Sequence, residues 1–201
     1  RDVGWFVMGT SLTVFWGATL LNFRGLHASG WMTTIFLYVG TLLPVGIAIG
    51  LAAWWIASGQ ESAIPLEWGA VVPRIDSIGE IVGIAAIFSF LSGLEVNAVH
   101  FQHVKNPQQA IPRALLISGL LVLVISVLGA LSVAVLVPLN DIDLAAGTLQ
   151  VFSHVLMPLG ADWLVSVLAI LALAGMAGHI MVWVIGPTES LRVAADDGLI
   201  P

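Results

Sequence analysis

The sequence predicts an all-α integral membrane protein with five transmembrane helices. Three observations carry that expectation. Only 9% of the 201 residues are charged and 59% are hydrophobic, whereas a domain surrounded by water carries about 25% charged residues. Mean hydropathy is +1.03. Apolar runs also recur at the length of about 20 residues that crosses a hydrocarbon core as helix. In lipid every backbone polar group must be paired internally, so runs this long and continuous are helical.

The same composition excludes several classes. A net charge of -6 with no basic patch argues against nucleic acid as a partner. The absence of cysteine rules out disulfides and cysteine-ligated metals. No cofactor and no enzymatic activity are expected.

Taken in order, the first span covers about 3–23, diluted by Thr10, Ser11, Thr13 and Asn22. The second covers about 31–56; Pro44 marks a kink, and Gly46 and Gly50 form a G-x-x-x-G that favours close packing. A loop, "SGQESAIPLEWGAVVPRIDS", follows, in which Pro65 and Pro73 prevent a long regular element. The third span is placed at about 78–102 and the fourth at about 114–137. Between 138 and 162 lies an outer loop whose residues Leu144, Leu149, Val151, Phe152, Val155 and Leu156 form an amphipathic run. Such a run lies along the membrane surface or caps a vestibule. The fifth span covers about 163–185, and 189–201 is a cytoplasmic segment. Together, 1–201 reads as one partial transmembrane domain without internal repeats. The chain opens on Arg1 and enters an apolar run within two residues, so a piece of a longer membrane protein is expected.

Basic residues set the orientation. Arg24, Lys105, Arg113 and Arg192 fall on one side, which is therefore cytoplasmic. The other side holds Arg1 and Arg74 among Asp2, Glu61, Glu67, Asp141, Asp143 and Asp162.

Glu95 is the first candidate for chemistry. It lies about 21 Å of helix beyond Ile81, well inside the third span. A charge at that depth costs about 2.5–3.5 kcal/mol on insertion scales and usually faces a bundle interior or a watery cavity. Ser89, Ser92 and Gly93 precede it, and a helix loosened there exposes carbonyls and amides, as in the discontinuous helices of secondary transporters. The plainer reading is a protonated carboxyl that braces neighbouring helices. His100 and His103, three apart, supply only two ligands, and there is no H-E-x-x-H, so no metal site is expected. On the fifth span His179 and Trp183 share a face, among the small residues Ala172, Gly175, Ala177 and Gly178. Trp183 is either an interfacial anchor or the lining of a pocket; physics alone leaves both open.

Four phrases then fall in one order: "FSFLSGLE", "KNPQQAIPRAL", "WVIGP" and "RVAADDGLIP". Together they resemble the amino acid–polyamine–organocation superfamily of permeases. "WVIGP" is most similar to bacterial glutamate:γ-aminobutyrate antiporters, and "AADDGL" also resembles the arginine/agmatine antiporter. The resemblance covers essentially the whole chain and makes it helices four to eight of twelve in a LeuT-like inverted-repeat fold, with a broken helix near 89–95. It implies a secondary active amino acid transporter, an antiporter or proton-coupled permease working by alternating access in a bacterial inner membrane. The alternative is an amino acid-binding membrane sensor without transport. By carry-over, Ser89, Phe90, Ser92 and Gly93 bind substrate, Trp183 lines the pocket, and Glu95 serves proton coupling or gating. The implied partners are an amino acid or related amine, the bilayer, protons and the parent transporter's remaining helices. Ser89 stands where the arginine/agmatine branch has a gating Trp, so stacking of an arginine there is not carried over.

Overall fold

The computed structural model describes residues 2–22, 26–65, 67, 78–79, 81–82, 85, 92–93, 104–143 and 146–199, with the side chains of 2–3 and 26–29 excepted. Among the described residues all regular structure is helical. In chain order these are α1 (Asp2–Asn22), α2 (Leu26–Leu37), a π-helical turn (Tyr38–Leu42), α3 (Leu43–Ala57), α4 (Pro107–Leu136), a short 3-10 turn (Leu139–Asp141), α5 (Gly147–Leu156) and α6 (Asp162–Asp196). Among the described residues four stretches are long and apolar enough to cross a membrane: Gly4–Asn22, Gly30–Ala57, Pro107–Leu136 and Asp162–Asp196. The expected third span, at about 78–102, lies mostly outside the described residues. At 35 residues, α6 is about 52 Å long. That exceeds a core of about 30 Å, so its end turns reach beyond the hydrocarbon.

Two compact units divide the chain, 1–44 with 166–201 and 45–165. In the first, α1, α2 and the π turn meet the long α6. Local chemistry explains the π turn. Pro44 has no N–H to offer the carbonyl of Gly40 four residues earlier, and its ring crowds that carbonyl. The helix widens instead, and the Leu43 N–H bonds the Tyr38 carbonyl five residues back. Glycines then set the packing. A Cβ on Gly175 would lie 2.5 Å from the Gly40 oxygen, and one on Gly40 would lie 2.7 Å from the Leu171 oxygen. Backbone therefore meets backbone at this crossing, and Cα–H groups point at carbonyls, each such contact contributing about 0.5–1 kcal/mol. One turn on, a Cβ on Gly178 would lie 2.7 Å from Cβ of Phe36. Asn22, at the end of α1, donates from Nδ2 to the Met181 carbonyl at 3.2 Å.

The second unit holds most of α3, then α4 and α5. α3 stops at Gly59, whose φ of +73° closes the helix: Gln60 N–H bonds Trp55 O, and Gly59 N–H bonds Ile56 O. Pro107 begins α4, where a missing N–H costs nothing, behind Asn106 in the left-handed conformation (φ 52°). Val137 and Pro138 end it. Of the expected amphipathic run, Leu144 lies outside the described residues and the rest falls in α5, which packs on α4 and buries Val151, Phe152, Val155 and Leu156. Burying such side chains contributes about 1.5–3 kcal/mol each. Gln150 ties down the loop before α5: its Oε1 accepts from Asp143 N–H at 2.8 Å, and its Nε2 donates to Asp141 O at 2.7 Å.

Candidate functional site

Of the six residues expected to form the site, three fall among the described residues: Ser92, Gly93 and Trp183. Ser89, Phe90 and Glu95 lie outside them. Ser92 and Gly93 form a turn, with φ of +94° at Gly93. An α-helix holds φ near −63°, so Gly93 does not have helical backbone. The value lies where a Cβ is strained, which explains a glycine at this position. His100 and His103 are likewise outside the described residues. Among the described residues no group of three or more His, Cys, Asp or Glu is placed to hold a metal ion.

Trp183 sits on α6 in the other unit, and its side chain is 54% exposed. The sequence makes its backbone unusual too. Pro187 follows four residues later inside the helix, so the Trp183 carbonyl receives no α-helical N–H. Thr188 Oγ1 instead donates to the carbonyls of Val184 and Ile185, at 2.8 and 2.9 Å. Further along, Glu189 is buried and pairs with Arg192, which also reaches Asp196 at 2.6 Å.

Around His179 the first unit builds a small cavity of about 80 Å³, lined by Thr33, Leu37, Gly175, Gly178, His179 and Val182. The His179 ring nitrogen Nδ1 lies 3.0 Å from the carbonyl of Gly175, the glycine that meets Gly40. Sequence reading pointed to Gly46 and Gly50 as the packing pair of the second span. Among the described residues, however, a Cβ on either meets no atom within 4 Å. Gly40 makes the close contact instead. Its signal was Pro44 four residues later, which frees the Gly40 carbonyl and forces the wider turn.

A family model described as amino acid permease matches residues 2–201. An uncharacterized transporter of Legionella pneumophila is 35% identical over 198 residues, 98% of this chain and 42% of that protein. A glutamate/gamma-aminobutyrate antiporter of Lactococcus lactis is 30% identical over 192 residues, 94% of this chain and 38% of its own length. A probable agmatine/putrescine antiporter of the same species is 23% identical over 192 residues, 94% of this chain and 40% of that one. The chain thus spans about two-fifths of the length of the curated relatives it matches.

Proposed function

The chain belongs to the amino acid permease family, and from that premise we propose that it is part of a secondary active transporter of amino acids or related amines. The parent works by alternating access, as an antiporter or a proton-coupled permease, in a bacterial inner membrane. Its fold is the LeuT-like inverted repeat. This chain supplies helices four to eight of twelve, five spans in all, with the third interrupted near 89–95.

The observation that carries this reading is the turn at Ser92–Gly93, inside an apolar stretch of a chain matched to permeases over 2–201. Backbone released at such a turn is tolerated at membrane depth only where it lines a cavity or is buried in protein. In discontinuous helices of this kind the half-helix ends favour the charged groups of a substrate. Ser89, Phe90, Ser92 and Gly93 form that part of the site. Trp183 offers the substrate a ring face, worth about 0.5–2 kcal/mol toward a cation. Glu95 is the proton-coupling or gating carboxylate.

The test uses the full-length parent in proteoliposomes and follows radiolabelled amino acid exchange. Trp183→Ala and Glu95→Gln are each expected to slow exchange at least tenfold. Exchange at the unaltered rate in both removes these two residues from the site. Amino acid binding by the unaltered parent without any counterflow makes it a sensor instead.

A further inference from the structure

His179 is the only ionisable residue between Asp162 and Glu189. It stands about 25 Å of helix from the first and about 15 Å from the second. An ionisable group at that depth is costly and as a rule marks an ion or substrate path. The ring is also fixed. A carbonyl oxygen can only accept, so the Nδ1 contact with Gly175 O at 3.0 Å puts the neutral ring's proton on Nδ1. Nε2 keeps the lone pair. Gly175 is itself held against Gly40 and Thr41, so the ring hangs from a rigid base.

The cavity of about 80 Å³ beside the ring has room for about two waters at roughly 30 Å³ each. Thr33 brings a hydroxyl to its wall, and no other lining residue besides His179 carries a polar side chain. Charged and titratable groups on the surrounding elements are few. α1 has only Asp2, at its far end, and α2 has only His27, six residues before Thr33. The π turn has Tyr38; α6 has Asp162 at its start and Glu189, Arg192 and Asp196 beyond Pro187. Among the described residues no carboxylate lines the cavity to pair with a charged ring.

We propose that His179 is a proton-binding site in the membrane. Nε2 takes a proton from water in the cavity, the ring passes from neutral to singly positive, and the proton returns to water at another stage of the cycle. This rests on the transporter reading above and identifies a coupling group for it, separate from Glu95.

The experiment measures the ratio of protons to amino acid moved by the full-length parent in proteoliposomes, with an internal pH dye and isotope uptake. His179→Asn keeps a short donor toward Gly175 O but has no basic nitrogen. It is expected to lower the ratio at least tenfold and flatten the pH profile of uptake. A purely structural histidine slows both fluxes together, leaving the ratio unchanged, and that result overturns the proposal. So does a parent that moves substrate with no protons at all. If the unaltered parent moves no substrate, the transporter reading fails, and histidine ring nitrogen resonances of the ¹⁵N-labelled parent decide the proton site alone. The same spectrum decides if the variant does not insert. A neutral Nδ1–H form that gains a proton at Nε2 on acidification to pH 5 supports the site; a ring that stays neutral overturns it.

Discussion

The crossing of Gly40 with Gly175 and the seat of α5 on α4 join helices by opposite means. At the crossing the two glycine backbones meet directly, with the Thr41 hydroxyl beside them, and the contact depends on the missing Cβ atoms. At the seat four apolar side chains fill the space, led by Phe152 and Val151, both 0% exposed. Inside lipid, burying apolar surface gains little, because lipid tails are as apolar as leucine, so close backbone approach and weak Cα–H bonds must hold helices together. Where elements meet water there is a polar phase to exclude, and side-chain burial becomes effective. The first region should therefore tolerate no addition and the second no removal.

The largest effect is expected from removal. Phe152→Ala should destabilise the second unit by about 3–5 kcal/mol, read by thermal unfolding of the purified protein in lipid nanodiscs. A midpoint equal to that of the unaltered protein would mean that α5 only rests on α4. Addition comes next. Gly175→Ala should cost about 1–3 kcal/mol, because the new methyl meets the Gly40 carbonyl rather than a side chain that can turn away. Its control is Gly46→Ala in α3, where the new methyl meets nothing within 4 Å among the described residues and helix propensity favours Ala by about 0.8–1 kcal/mol. Equal losses in the two variants would contradict the crossing. The smallest effect belongs to Gln150→Ala, which removes both hydrogen bonds of the loop clamp, about 0.5–1.5 kcal/mol each. Amide exchange at Asp143 should quicken while the Phe152 amide stays protected; if both quicken together, the clamp and the seat are one cooperative element.

That contrast also separates what the sequence made legible from what it did not. Hydropathy reports on lipid contact, so the helical membrane class could be read directly from runs such as those ending at Asn22, Ala57 and Leu136. The amphipathic spacing of Val151, Phe152, Val155 and Leu156 exposed the buried face of α5 in the same way. Glycines were harder. Gly40 and Gly175 are far apart in sequence, and nothing in either local pattern says that one faces the other. Gly46 and Gly50 made the more conspicuous motif, but a motif cannot say which face of a helix has a neighbour. Pro44 was read as a kink; the wider consequence, a π turn with the Gly40 carbonyl released toward α6, depends on three-dimensional packing. Glycine in an apolar run often only permits close packing, and what distinguishes Gly93 is its φ of +94°, which no sequence pattern shows. The ion pairing of Arg192 with Glu189 and with Asp196 follows i, i+3 and i, i+4 spacing, a pattern legible in the sequence.

The central reading is that this chain belongs to a machine that moves amino acids across a membrane, and one measurement reaches it directly. The full-length parent is reconstituted into vesicles, and uptake of radiolabelled glutamate is compared between vesicles loaded with γ-aminobutyrate, loaded with glutamate, and empty under an inward proton gradient. Saturable uptake into at least one of these, slowed at least tenfold by Glu95→Gln, is the expected result. Uptake no greater than in protein-free vesicles under all three conditions, repeated with agmatine and putrescine as the labelled substrates, would contradict it.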